Sequence, residues 1–201
     1  MHSKRLIYAT ILMFLVSSGI SFAYNKREKV KPSTELQVFG VKFVSPAEKG
    51  WVKLVENPGQ LALGKEGNSK YETYAITASL FKLPSVDSEE DFLACIRKGR
   101  KDDTDPERFK ILEDQDNLCP EKGSYYVAYH TLSEDYAAAK MPRDKEYLLF
   151  EMTGFYWRSA YNPNIGIHVG YSQRCFPENQ DPDFDKKAEY IIDQFKLSEA
   201  Q

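Results

Sequence analysis

The chain has 201 residues, a formal net charge of −3, 27 aromatic side chains (13 Tyr, 12 Phe, 2 Trp) and three cysteines. That length suits one domain with a proper core, and the aromatic and apolar content excludes a disordered chain. The mild acidity, with no basic stripe to neutralise phosphates, excludes nucleic acid as a partner.

The N-terminus reads as an export signal. Lys4 and Arg5 form the positive start, Leu6 to Val16 the apolar stretch, and Ser21 and Ala23 the small residues of a cut between Ala23 and Tyr24. The apolar stretch is shorter than the roughly 20 residues that a spanning helix needs. Lys26, Arg27, Lys29 and Lys31 would hold the segment as an anchor if it were kept, so that alternative stands beside cleavage. Removing residues 1–23 leaves 178 and, with Lys4 and Arg5 gone, a formal charge of −5. The expected location is the periplasm or the extracellular space of a bacterium, with no stable membrane span after cleavage.

Residues 24–35 are polar and basic and read as a flexible leader. Leu36 to Val44 has strand character and is stopped by Ser45-Pro46. Trp51 to Val55 and Gln60 to Gly64 form two short strands joined by the turn signal Asn57-Pro58-Gly59. Tyr71 to Leu83 alternates, with Tyr74, Ile76, Ala78 and Leu80 on one face and Thr73, Ala75, Thr77 and Ser79 on the other, as in a half-covered sheet. Ser88 caps a helix, Asp91 completes its capping box, and Phe92, Cys95, Ile96 and Gly99 share a stripe. Arg100 to Pro106 reads as a charged, exposed loop. Four strands follow, over Phe109–Asp116, Ser124–Thr131, Glu146–Ser159 and Ile165–Cys175. In the closing helix, Asp181 is the expected N-cap, Pro182 takes the first position, and Phe184, Ala188, Ile191 and Phe195 form the apolar stripe. The order lacks strict β-α alternation, so the fold class is α+β: an antiparallel β-sheet with helices packed on it.

Three cysteines in an oxidising compartment imply one disulfide and one free thiol. In a simple meander Cys119 and Cys175 fall at opposite ends of the sheet, beyond the ~7 Å between Cα atoms that a disulfide tolerates. Cys95, on the helix before the same strand, is the better partner, so Cys95–Cys119 is the expected bridge. No metal is expected, since neither C-x-x-C nor H-x-x-x-H spacing is present. Asp181, Asp183 and Asp185 alternate like a calcium loop, but Lys186 and Ile192 stand where such a loop needs Gly and Glu.

Gly40 to Pro46, with Trp51 shortly after, resembles the first hairpin of PsbP-like domains. Val169 to Arg174, running into Asp183–Leu197, is similar to their last strand and C-terminal helix. The resemblance spans residues 36–198. It implies an α/β/α sandwich around an antiparallel sheet, and a non-enzymatic role as an extrinsic subunit, an adaptor or an exported protein of unknown function. It supplies no catalytic residues and no cofactor.

The residues themselves argue against catalysis. After cleavage only His130 and His168 remain, both expected at the surface or lightly packed, and no G-x-S-x-G marks a nucleophile. His168 and Cys175 lie seven residues apart on one strand, so their side chains fall on opposite faces. Aromatic residues concentrate between Tyr125 and Tyr161, with Phe150 and Tyr156 on one face and Tyr147, Phe155 and Trp157 on the other. Most belong in a core. If part of this surface stays open, Tyr126, Phe150, Tyr156, Trp157 and Tyr161 are the candidates to grip a ligand or partner, with Arg158 and Arg174 for an anionic end. The leading expectation is an exported, non-catalytic envelope protein that binds a protein partner. The alternative is a carrier for a small hydrophobic or amphipathic ligand, which a cavity lined by Tyr126, Phe150, Tyr156 and Trp157 would favour.

Overall fold

Alternating apolar residues between tight turns build the sheet at the centre of the computed structural model, which describes residues 27–39, 41–136 and 141–197. The export signal lies outside the described residues. Seven antiparallel strands run in the order β3-β4-β5-β9-β8-β7-β6: β3 (Val52–Asn57), β4 (Gln60–Glu66), β5 (Thr73–Lys82), β6 (Phe109–Leu118), β7 (Tyr126–Asp135), β8 (Leu148–Arg158) and β9 (Ile165–Cys175). The Asn57-Pro58-Gly59 signal forms the β3–β4 turn, where Asn57 pairs with Gln60 and the Asn57 side chain accepts from the Gly59 amide at 3.0 Å. Residues 27–34, expected as part of a loose leader, are tied down instead, 27–30 along β3 and 31–34 against Ser45 and Pro46. The Val30 amide donates to the Trp51 carbonyl, the Lys53 amide donates to that of Glu28, and Val30 is buried.

Both faces of the sheet are covered. On one lie α2 (Phe184–Asp193) and a small sheet of β1 (Glu35–Val38), β2 (Val41–Val44) and β10 (Phe195–Leu197) in the order β1-β2-β10. Their core holds Phe43, Trp51, Leu63, Ile76, Phe155, Val169, Tyr171, Phe184 and Ile191. The other face carries α1 (Glu89–Asp103), which buries Phe92 and Ile96 against Phe81, Val127, Tyr129 and Tyr156. The chain is therefore an α+β sandwich around an antiparallel sheet.

Several elements differ from expectation for physical reasons. β5 is not half-covered: Thr77 and Ser79 are as buried as Ile76 and Ala78, because α1 lies over their face. Ser88 caps α1, accepting from the Asp91 amide at 3.0 Å, but the helix continues through the charged residues to Asp103. Lys101 and Asp102 point outward while Arg100 turns in toward Tyr129, so the charged run supplies two faces of a helix. The N-cap of α2 is Asp183 rather than Asp181, and Pro182 precedes the helix. Phe195 has left α2 altogether. It enters β10 and stacks on Phe43 with ring centroids 4.3 Å apart.

Candidate functional site

Two glycines shape the α1 face. Gly154 and Gly170 are cross-strand partners on β8 and β9, and a Cβ on either would lie 2.9 Å from the Tyr129 side chain. Their bare backbone lets the Tyr129 ring lie down against the sheet. Its hydroxyl hydrogen-bonds His168 Nε2 at 2.7 Å, and Tyr156 closes a cluster in which the Tyr129–Tyr156 centroids are 5.2 Å apart and the Tyr156–His168 centroids 4.7 Å apart. Above this floor opens a cleft of about 920 Å³ between the C-terminal half of α1 and strands β6 to β9. Phe150 and Met152 extend its apolar wall, and Arg97, Arg100, Asp102, Asp114 and Asp116 stand on its rim.

Arg100, in the last turn of α1, ties the roof to the floor. Its guanidinium sits 4.8 Å from the Tyr129 ring centroid, donates to the Thr131 hydroxyl at 2.7 Å, and pairs with Asp114 and Asp116. Arg97 adds a second bond to Asp116 at 2.6 Å. The rim carries both signs of charge, paired with one another.

His168 is 2% exposed, where the sequence suggested a surface or lightly packed residue. Burial, with the nearby Arg100 charge, pushes its imidazole down to about 3. Burial pushes the Tyr129 hydroxyl well above its ordinary range, and Tyr156 is raised for the same reason. The imidazole is therefore neutral, and its hydrogen bond with Tyr129 uses Nε2 and leaves Nδ1 as the second ring nitrogen. Among the described residues, that atom is buried with no hydrogen-bond partner.

The opposite face gathers a different set. His130 Nε2 lies 3.1 Å from Glu151 Oε1, and this bond to Glu151 raises the His130 imidazole above its usual range. Burial pushes the Glu151 carboxyl up, but bonds from His130, Gln180 and Gln173 outweigh it and hold the group low. Asp185, in the first turn of α2, completes a trio whose nearest ligand atoms lie within 4.8 Å of one another. The seven-stranded sheet separates this trio from His168.

The seven residues singled out from the sequence do not form one site. Phe150 and Tyr156 line the cleft. Tyr126 stacks on Phe155 at 4.8 Å, and Trp157 packs against the core on the other face. Arg158 lies over the Tyr125 ring and donates to the Val86 carbonyl at 3.3 Å. Tyr161 is 59% exposed and apart from the cleft. Arg174, at the far end of the sheet from Arg158, pairs with the fully buried Asp135, which Arg108 also holds through two bonds of 2.8 Å. The expected Cys95–Cys119 bridge is absent: both residues are free thiols, as is the buried Cys175. Cys95 lies on α1 beside its apolar stripe, while Cys119 sits past the end of β6 with its Sγ 3.6 Å from the Asn117 carbonyl. Burial pushes Cys175 up to about 12.

Sequence reasoning did not single out Tyr129, Met152, Arg97 or Arg100, nor His168 as a wall residue. The available signal was glycine inside strand runs beside aromatic residues, which marks a close approach.

No family model and no curated protein matches this chain. Among solved structures, the Ran-binding protein Mog1p of Saccharomyces cerevisiae is similar at a TM-score of 0.44 and 9% identity, over 86% of this chain and 97% of that one. Among the described residues, no helix is long and apolar enough to cross a membrane.

Proposed function

We propose that this protein is an exported, non-catalytic binding protein of the PsbP-like kind, and that the cleft under α1 holds a small hydrophobic or amphipathic ligand. The observation that carries the reading is the cleft itself. Its volume lies in the range of about 300–1,000 Å³ common to small-molecule sites, and its walls pair an aromatic floor with a few polar groups. The unpartnered Nδ1 of His168 in that wall is the kind of buried polar atom that otherwise costs about 1–3 kcal/mol. Catalysis is disfavoured by the same chemistry. His168 and Tyr129 are shifted in opposite directions away from neutrality, so neither exchanges a proton near pH 7. The N-terminal signal sequence supports export to the periplasm or beyond.

The test is a titration with the amphipathic dye anilinonaphthalene sulfonate, read by fluorescence on protein whose fold is checked by circular dichroism. Saturable one-site binding is expected, and Met152→Trp, which narrows the cleft beside its aromatic floor, should weaken it. Binding that Met152→Trp leaves untouched would place the dye elsewhere and remove the support for this reading.

A protein partner is the second reading, favoured by the free edge of β6. Ile111 and Leu112 are 41% and 44% exposed there, beside the bulge that interrupts pairing with β7. Strand addition at such an edge is a common recognition mode. Pull-down from envelope extract should then lose its partner with Leu112→Lys.

A further inference from the structure

We propose that His130, Glu151 and Asp185 form a site for a divalent cation of the zinc type on the α2 face of the sheet. The sequence did not show it, because its ligands come singly from β7, β8 and α2 rather than from one spaced motif.

The residues are arranged as ligands and their supports. Leu132 is the direct partner of Glu151 across the β7–β8 ladder, which makes His130 its diagonal neighbour on the same face. His130 Nε2 and Glu151 Oε1 lie 3.1 Å apart, close to the edge of about 3.3 Å that ligand bonds of roughly 2.0–2.1 Å give a tetrahedral site. Glu151 Oε2 is occupied separately. It accepts from Gln173 Nε2 at 2.6 Å and from Gln180 Nε2 at 3.0 Å, which turns Oε1 toward His130. Gln173 is held in turn, since its Oε1 accepts from the Asp181 amide at 3.1 Å. Such outer partners fix the orientation of ligands in metal sites.

Two further observations favour an ion at this place. Asp185 is exposed in the first turn of α2 with its carboxylate within 4.8 Å of the other two ligand atoms, so a small turn of its side chain would bring it to the ~3.3 Å edge of a tetrahedral site. Thr153, the cross-strand partner of His130, has a buried hydroxyl with no hydrogen-bond partner among the described residues. An ion held by three protein groups keeps an open position for water, and a stray hydroxyl nearby suits that water.

The donor set selects the ion. One imidazole and two carboxylates supply a charge of −2, which a divalent cation cancels. The mixture of nitrogen and oxygen suits zinc and its neighbours, whereas calcium and magnesium take oxygen ligands alone. The bound ion would tie the first turn of α2 to the centre of the sheet.

The experiment titrates Co²⁺ and then Zn²⁺ into the exported protein in mildly alkaline buffer. Visible absorption reads the cobalt, and thermal unfolding reads the zinc. One equivalent is expected to bind, with a visible band free of thiolate charge transfer and a midpoint that rises with Zn²⁺ concentration. Asp185→Asn, an exposed change that leaves the core alone, should weaken binding about tenfold or more, and His130→Gln should abolish it. The proposal fails if no ion binds, if a thiolate band places it on cysteine, or if both variants bind as the wild type does. None of these outcomes bears on the cleft, which lies across the sheet.

Discussion

The neutral His168 makes acid a specific stress on this fold. An unfolded imidazole titrates near 6.5, whereas the buried one is held down to about 3. The unfolded chain therefore takes up this proton first, and stability falls as pH drops from about 6.5 toward 3. Between pH 7 and pH 5 the loss from this residue alone is about 2 kcal/mol, at 1.36 kcal/mol per unit over the roughly one and a half units below 6.5. The result is insensitive to the folded value so long as it stays below about 4. His168→Gln removes the titration while keeping an amide to meet the Tyr129 hydroxyl. Urea unfolding of both proteins at pH 7 and pH 5 gives a difference of differences in which the carboxylates and His130 cancel. The wild type should lose about 2 kcal/mol more than the variant. Equal losses would mean that His168 takes up a proton in the folded state, and the neutral, buried imidazole at the cleft floor would be refuted.

Other perturbations separate the supports of the cleft from those of the sheet. Gly170→Ala places a Cβ 2.9 Å from the Tyr129 hydroxyl and should cost about 1–3 kcal/mol in urea unfolding, by forcing Tyr129 off His168. Phe92→Ala empties a fully buried position under α1 and should cost about 3–5 kcal/mol by the same measurement. Asp135→Asn leaves Arg108 and Arg174 facing each other without their shared carboxylate. It should cost about 3–5 kcal/mol, whereas Arg174→Met, which keeps the Arg108–Asp135 pair, should cost less. Thiol titration without reductant should count three thiols after denaturation, with Cys175 unreactive in the folded protein.

What the sequence disclosed follows from which signals are local. β9 runs over Ile165–Cys175, as its flanking turns and alternation predict, and Ser88 caps α1 because a side-chain acceptor three residues before an amide is a local fact. The face of each aromatic residue on β8 was also legible, since parity along a strand fixes it. Three things were not. Phe195 continues the spacing of the α2 stripe equally well as a helical residue or as a strand residue stacked on Phe43. Thr77, Ser79 and His168 look like surface residues until α1 is laid over them. The cleft and the His130–Glu151–Asp185 trio each draw on several elements, so no window of sequence contains either. Choosing Arg158 and Arg174 as a pair failed for the same reason: β8 and β9 place them at opposite ends of the sheet, each with its own partner.

The most direct test of the central claim is native mass spectrometry of the mature protein, purified from the periplasm without reductant, beside its Met152→Trp variant. A bound small molecule carried on the wild type, released on denaturation and reduced on the variant, is the predicted result. A wild type and a variant that both fly at the bare polypeptide mass, in preparations that also fail to bind the dye, would contradict a ligand site under α1.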